Sequence, residues 1–367
     1  MEPTQPQPQL SINQAPFKRG YGHKLSTSIP SNIKTKEFTT NSITSFRTKL
    51  ANTASKSAVK ALTTKLTATK LNPKTYNLLD YVKLPSSQAP YDQGNLGSCT
   101  ANAIAFCYVF NQLKQNNAYK FMPSRLFIYY NTRTIEGNIN EDSGAYLYNV
   151  VQAIAKMGVC EEELCPYNID KFALKPTDVC YKESKSCKAL KVSLVQQNLV
   201  QLRAALLSGY PIICGFLVYS SFETMTVTMT GLVPMPTTSD VILGGHCIVI
   251  VGYDDVRQVF VCRNSWGKSW GIKGYFLMPY AYITNPFLAS DFWIITQVSN
   301  PNKTTVVEYD NQSLVPKDVK LYVPNNNPLA SKPTSNQIAN PIKQTSNIPL
   351  QPTKVSIFNT NTKQRKF

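Results

Sequence analysis

The chain of 367 residues contains very few histidines, which limits the chemistry open to it. His23 and His246 are the only two, and His23 lies in a polar N-terminal stretch. Any site that needs an imidazole is therefore expected to use His246. The sequence also lacks an uninterrupted apolar run of about 18 residues, so no segment is predicted to span a membrane.

A secretory leader is not recognisable, since residues 1–4 are Met, Glu, Pro and Thr. Nine cysteines, an odd number, are more typical of a reducing compartment, so we expect free thiols and a cytoplasmic or virion-associated protein that is not secreted. Cys160, Cys165, Cys180 and Cys187 could in principle bind zinc, but their spacings miss the usual close pairs. We predict no metal and no organic cofactor.

Positive charge is concentrated at the two ends of the chain. Residues 1–75 hold 12 basic and 2 acidic side chains, residues 300–367 hold 9 and 3, and residues 76–299 are nearly balanced at 17 and 16. Both ends are rich in Thr, Asn, Pro and Lys, and residues 1–52 and 311–367 are predicted to be disordered. The sequence thus predicts a basic N-terminal tail (1–75), a globular domain (76–299) and a basic C-terminal tail (300–367).

The tails suggest partners that are recognised through charge. Either tail could contact nucleic acid or another anionic surface without sequence specificity, although biased base composition would give the same pattern. The pattern of residues 55–71 predicts a weak basic amphipathic helix. Such a helix fits an inhibitory pro-segment lying over a cleft and an anchor to an anionic surface equally well. We expect a monomer that acts on a peptide or protein.

The most informative stretch is residues 91–103, where Cys99 opens an apolar helix. Apolar residues recur at helical spacing from Ala101 and fill most of the circumference, which is typical of a buried helix. Gly94 and Gly97 allow a tight preceding turn, and Ser98 is the predicted N-cap. A cysteine in the first turn meets unpaired N–H groups and the positive end of the helix dipole, which favour a thiolate. The alternative is that Cys99 is simply a small apolar residue of the core.

Two later motifs supply partners for such a thiol. His246 begins a β-branched run that is predicted to be a buried strand. Asn264 follows a second run of this kind, and Trp266 comes two residues later.

These motifs, in the order Gln93, Cys99, His246 and Asn264, resemble those of the papain family of cysteine peptidases, and the resemblance covers about residues 80–298. It implies an α+β, two-lobed fold in which a helical lobe faces an antiparallel β-barrel-like lobe across the catalytic cleft. Cys99 would be the nucleophile and His246 the base and later the acid. Asn264 would fix the imidazole tautomer, and Gln93 with the Cys99 N–H would form the oxyanion hole.

The resemblance also implies two substrate-binding residues. Gly144 would pair with the substrate backbone, and Trp266 would shield the hydrogen bond between histidine and asparagine. The pocket for the second residue before the scissile bond would be floored by Ser290 or Asp291, and an inward Asp291 would favour basic side chains. The thiol pKa is expected to fall below its usual value of about 8.5, giving an ion pair with the imidazole.

The chain departs from the secreted members at Leu96 and Thr100, where they carry a cysteine and a tryptophan, so their usual disulfide is not expected. The pattern is closer to unsecreted microbial and large DNA virus members. We predict an endopeptidase that forms an acyl-thioester on Cys99. Two alternatives remain open: a structural or packaging protein of a virion that uses the basic tails, and an acyl transferase that uses the same cysteine and histidine.

Overall fold

The structure is a computed structural model, and it describes residues 20–25, 35–39, 73–117 and 120–301. The predicted helix at residues 55–71 and nearly all of the predicted C-terminal tail lie outside these ranges. None of the helices in the described ranges is long and apolar enough to cross a membrane.

Helices dominate the first half of the described domain and strands the second half, as predicted. The helices are α1 (Cys99–Lys114), α2 (Arg125–Glu136), α3 (Leu147–Lys156), α4 (Asp178–Ser184), α5 (Leu199–Leu207), α6 (Met225–Thr230) and α7 (Tyr280–Ile283). The strands are β1 (His23–Lys24), β2 (Thr75–Asn77), β3 (Ala145–Tyr146), β4 (Ala189–Leu194), β5 (Ile212–Tyr219), β6 (Ile242–Asp254), β7 (Val259–Arg263), β8 (Tyr275–Pro279) and β9 (Ala289–Val298).

The helical lobe is built on α1, which is buried from Cys99 through Gln112, as its nearly continuous apolar surface predicts. It packs against α2 on one side and against β6 and β9 on the other. The Ser124 hydroxyl accepts a hydrogen bond from the Phe127 N–H and caps α2, and Gly137 ends that helix at a φ of 76°. These caps fix the two ends of α2, which packs against α1 in the first wall of the cleft.

The second lobe is a seven-stranded sheet in the order β4, β9, β5, β6, β7, β8, with β2 paired to β6 away from that path. All pairings in this sheet are antiparallel. The pairing of β5 with β6 places Phe216 opposite His246. The α+β, two-lobed fold is therefore as predicted, and the long strand β6 carries the histidine to the interface with α1.

The polar stretch 161–192 contains α4 and the start of β4, and Cys180, Ser184 and Ala189 are buried within it. One prediction about local structure was wrong. The predicted disorder of residues 1–52 fails for residues 20–25 and 35–39, which lie against the domain. Phe38 is buried there and packs against the Tyr210 ring at 6.0 Å between centroids.

Candidate active site

Cys99 is the first residue of α1 and is completely buried. Its thiol lies against the backbone N–H groups of Thr100, of Cys247 and of Gly22, in addition to its own. The Cys247 contact brings the sulfur directly beside the residue that follows His246. Ser98 occupies the N-cap position, but its hydroxyl bonds to the Tyr167 hydroxyl at 2.5 Å instead of capping the helix.

His246 is held on the opposite wall by an amide and an indole. Its Nε2 lies 2.8 Å from Oδ1 of Asn264, and the ring stacks on Trp266 with 4.7 Å between centroids. Both histidine and asparagine are buried, so water does not compete for this hydrogen bond. Asn264 therefore engages Nε2 of the ring rather than Nδ1.

Gln93 is buried and held from several sides. The side-chain oxygen Oε1 accepts a hydrogen bond from the Ser265 hydroxyl at 2.5 Å. The backbone N–H of Gln93 donates to the Ser265 carbonyl at 2.9 Å. This fixes the side-chain amide with its N–H bonds directed away from Ser265. Nε2 donates to the Leu96 carbonyl at 2.8 Å and to the Gly20 carbonyl at 3.0 Å.

Asp142 joins the loop before Cys99 to the segment around Gly144. Its carboxylate accepts a hydrogen bond from the Gly97 N–H at 3.0 Å and another from the Tyr129 hydroxyl at 2.5 Å. The same hydroxyl accepts a hydrogen bond from the Gly144 N–H at 3.1 Å. These contacts tie together two parts of the cleft wall without a disulfide, and all nine cysteines are free thiols.

The N-terminal stretch Gly20–Leu25, called the cleft segment below, occupies the space between the two walls. Its Gly20 carbonyl accepts a hydrogen bond from the Gln93 side-chain amide. The Gly22 carbonyl accepts one from the Ala145 N–H at 2.6 Å. Strand β1 runs parallel to β3 beside Gly144. The substrate-binding positions predicted at Gly144 and Trp266 are therefore next to a segment of the chain itself.

Side chains of the cleft segment anchor it on both lobes. The Tyr21 hydroxyl bonds to Glu223, and the Tyr21 ring meets Trp266 edge to face at 6.5 Å. Lys24 forms an ion pair with the largely buried Glu136 at 2.6 Å.

Burial in this closed cleft raises the pKa of the Cys99 thiol to about 12, although the surrounding N–H groups lower it. The prediction of a lowered pKa is therefore wrong for the form in which the cleft segment is in place. The thiol remains protonated at neutral pH because desolvation of a thiolate outweighs the N–H contacts.

Sequence reasoning missed the cleft segment and the contacts of Asp142. The segment did carry a signal, since Gly20 and Gly22 are the only glycines in the first 75 residues and His23 is one of two histidines in the chain. The contacts of Asp142 had no comparable signal, because they join it to the Gly97 N–H and the Tyr129 hydroxyl, which are 45 and 13 residues away.

The cysteines considered for zinc are arranged differently from a metal site. Cys160 and Cys180 are buried with Phe127, and half-buried Cys165 packs against them. Within the part of the chain that the structure describes, no group of three or more His, Cys, Asp or Glu side chains is arranged to hold a metal ion. Burial raises the pKa of the Cys160 thiol, as expected for a protonated core residue.

A buried thiol at a helix start that contacts the backbone beside an imidazole oriented by an amide is an arrangement typical of the cysteine peptidases. Comparison with known proteins specifies which group. The model of the papain family of cysteine proteases matches residues 88–285. An uncharacterised peptidase C1-like protein of Acanthamoeba polyphaga mimivirus is 43% identical over 256 residues, which cover 68% of this chain and 81% of that protein.

Solved structures agree with the sequence comparison. Xylellain, a cysteine protease from Xylella fastidiosa, is similar with a TM-score of 0.63 and 34% identity, covering 78% of this chain and 98% of that one. A procathepsin B of Trypanosoma congolense shares the fold with a TM-score of 0.52 at 14% identity, over 75% of this chain and 86% of that one. The chain belongs to the papain family and is a papain-like cysteine peptidase.

Proposed function

We propose that this protein is a latent cysteine endopeptidase that cleaves peptide bonds through an acyl-thioester on Cys99. The observation that carries the proposal is the cleft segment, which places a peptide carbonyl on the Gln93 amide and peptide backbone against Cys99. A cleft that binds its own chain in this way has the shape and hydrogen-bonding groups to bind an extended peptide. Latency follows because the same groups are occupied.

In the acylation step, each residue of the open cleft has a defined role. His246 takes the thiol proton on Nδ1 while Asn264 holds Nε2, and the Cys99 sulfur attacks the substrate carbonyl carbon. The resulting oxyanion is stabilised by the Gln93 amide N–H and the Cys99 backbone N–H. When the C–N bond breaks, the imidazolium donates its proton to the leaving amine, which yields the acyl-thioester.

The second half of the reaction uses the same groups in reverse. His246 removes a proton from water, whose oxygen attacks the thioester carbonyl and forms a second oxyanion at Gln93. Collapse breaks the C–S bond, the sulfur regains a proton from the imidazolium, and the carboxylic acid product leaves. Trp266 contributes by covering the bond between His246 and Asn264, since a dry hydrogen bond keeps the ring in one orientation.

The cleft segment supports the assignment of residues 1–75 as a pro-segment, but through a stretch other than the basic helix at 55–71. Three contacts hold it at intervals of two residues: the Gly20 carbonyl on Gln93, the Gly22 carbonyl on the Ala145 N–H, and Lys24 on Glu136. A substrate would have to displace all three to reach the sulfur.

The test is covalent labelling of the full chain by an epoxide inhibitor of cysteine peptidases, read by intact mass, together with hydrolysis of a mixed peptide library. Gly22→Ala serves as the opened form, and Glu37→Ala, an exposed position outside the cleft, is the matched control. We expect one adduct and peptide turnover in Gly22→Ala, and neither when Cys99→Ala is added. A folded Gly22→Ala protein with no adduct and no turnover would reject the peptidase and favour the structural alternative.

A further inference from the structure

Lys24 of the cleft segment places its ammonium group in a pocket at the end of α2. Nζ donates a hydrogen bond to Oε2 of Glu136 at 2.6 Å and another to the Ser143 hydroxyl at 3.2 Å. It also lies 5.2 Å from the centre of the Tyr146 ring, a distance typical of a cation–π contact. The Lys24 side chain is 21% exposed and that of Glu136 only 4%, so the ion pair is largely shielded from water.

Asn138 supplies a third acceptor for the ammonium group. With its amide oxygen turned towards Lys24, it accepts a hydrogen bond from Nζ at 3.1 Å. In the same orientation its amide nitrogen donates to the Arg133 carbonyl at 3.2 Å, so both ends of the amide have a partner. An ammonium group has three N–H donors, and three oxygens here match them. The pocket formed by Glu136, Asn138, Ser143 and Tyr146 is called the ammonium pocket below.

The carboxylate of the ammonium pocket is held in place by the peptidase domain and not by the cleft segment. The second oxygen of Glu136 accepts hydrogen bonds from the Tyr146 N–H at 2.9 Å and from Nδ2 of Asn149 at 3.2 Å. Tyr146 belongs to β3 and Asn149 to α3. The carboxylate is therefore already oriented when the cleft segment leaves, which lowers the cost of binding a different ammonium group.

The local electrostatics also favour a cation at this point. Glu136 is the last residue of α2, where the negative end of the helix dipole makes an acidic side chain unfavourable. The basic side chain of that last turn, Arg133, is directed elsewhere. Its guanidinium donates to three backbone carbonyls, those of Ile139, Glu141 and Phe172. A largely buried carboxylate placed against the helix dipole is expected where it binds a positive group.

The ammonium pocket is separate from the pocket that holds the preceding side chain, because successive side chains of a strand point in opposite directions. His23 lies on the sheet side, 3.7 Å from the carboxylate of Asp291, whereas Lys24 reaches the helical wall. In the pairing of β1 with β3, Lys24 lies opposite Tyr146, two residues beyond Gly144. Gly144 is the predicted partner of the substrate backbone before the scissile bond, so a side chain in the ammonium pocket also precedes that bond.

We propose that the ammonium pocket is a substrate subsite that selects peptides with a lysine side chain before the scissile bond. The inference rests on the proposed peptidase function, because a substrate lysine reaches the pocket by replacing Lys24. Charge-assisted hydrogen bonds in this shielded site favour lysine over an uncharged chain of similar length. Lysine is also favoured over arginine, because three oxygens surround a single nitrogen atom, whereas a guanidinium presents its donors as a planar fork.

The test measures kcat/KM for peptides that differ in one side chain, using the full chain with Gly22→Ala. Lysine, arginine and norleucine are placed in turn at each of the three positions before the scissile bond, and product masses identify the bond that is cleaved. We expect lysine to be preferred to norleucine by about tenfold or more at one of these positions, with arginine between the two.

The variants assign that preference to the pocket. In Gly22→Ala with Glu136→Gln, which removes the charge but keeps the size of the side chain, the ratio of lysine to norleucine should fall to near one. Gly22→Ala with Glu141→Gln is the matched control and should keep the ratio, since it removes the same charge from an exposed position between Glu136 and Gly144. Should Glu136→Gln fail to fold, Ser143→Ala removes another acceptor at a half-buried position and should lower the ratio several-fold.

Epoxide labelling counts the competent sites in each variant, which separates the two ways of failing. Equal turnover of lysine and norleucine peptides at all three positions, or a lysine preference that survives the loss of these acceptors, would overturn the specificity inference while leaving the peptidase intact. Arginine turned over as well as lysine would overturn the selectivity for lysine. No turnover and no adduct in folded Gly22→Ala would instead reject the proposed function, and the inference with it.

Discussion

Substituting alanine for Gly22 is the most direct way to dislodge the cleft segment. A Cβ at this position would lie 1.5 Å from the Gly97 carbonyl oxygen and 2.1 Å from its carbon. Both are backbone atoms, and the Gly97 N–H is bound to Asp142, so this wall cannot readily retreat. The methyl group therefore acts mainly on the segment, which must leave the position it holds against Cys99.

The expected size of the effect follows from the cost of overpacking, which is about 1–3 kcal/mol in well-packed regions and larger against fixed backbone. A penalty of about 3 kcal/mol on the closed form raises the ratio of open to closed molecules by roughly 150-fold. Since only the open form exposes the thiol, the second-order rate constant for epoxide labelling should rise by a similar factor, until opening is complete.

The assay measures labelling rates of the unsubstituted protein, Gly22→Ala and Glu37→Ala at pH 7, with intact mass to count adducts. Glu37→Ala should match the unsubstituted protein. Far-UV circular dichroism and a urea unfolding curve establish that each variant is folded. Equal rates for the unsubstituted protein and a folded Gly22→Ala variant would refute the argument that the segment controls access to the sulfur.

Three further predictions follow from the site. In the opened protein, Gln93→Ala should lower kcat by about 10²–10³ because one oxyanion donor is lost, while the number of epoxide adducts per chain stays at one. Burial raises the pKa of Cys99 to about 12 in the closed form, whereas the open form is expected to have a thiol pKa below the usual value of about 8.5. The closed form therefore has its full advantage only below the pKa of the open form and loses it as pH rises towards 12. Labelling of the unsubstituted protein should increase steeply over that window, and parallel labelling of Gly22→Ala controls for free-thiolate reactivity. Asp142→Ala leaves the Gly97 N–H and the Tyr129 hydroxyl without their acceptor and should cost about 1–3 kcal/mol in the free energy of unfolding measured in urea; an unchanged midpoint and slope would contradict the view that this carboxylate holds the cleft together.

Sequence patterns were sufficient to predict the structural element that holds a residue where its neighbours in the chain define its environment. Cys99 opens a helix whose apolar periodicity is visible directly, and His246 begins a run of β-branched residues. The sheet order and the pairing of Phe216 with His246 were not readable, because strand neighbours are set by tertiary packing. The α+β class could still be predicted, since it needs only the succession of helical and strand patterns along the chain.

The pKa of Cys99 shows why local motifs do not determine a site completely. The helix start, encoded beside the cysteine, favours a thiolate, and so does an imidazole whose motif is recognisable although it lies 147 residues later. Desolvation of the buried thiol opposes them, and Gly22 of the cleft segment, which contacts that thiol, is 77 residues away in the sequence. The contribution of desolvation to a pKa depends on which surfaces meet in the folded chain. It cannot be predicted from the periodicity of the cleft segment or of α1.

The structure also explains why a tail with weak individual contacts could keep this site closed. Gly20–Leu25 and residues 35–39 belong to one chain, and Phe38 anchors the second stretch on the domain near Tyr210. Tethering converts binding of the cleft segment into an intramolecular step, for which effective concentrations reach the millimolar range. A free peptide with the same few hydrogen bonds would have to reach that concentration to compete. Breaking the chain between the two stretches would remove this advantage without altering any contact in the cleft, so latency depends on chain connectivity as much as on the complementarity of the segment.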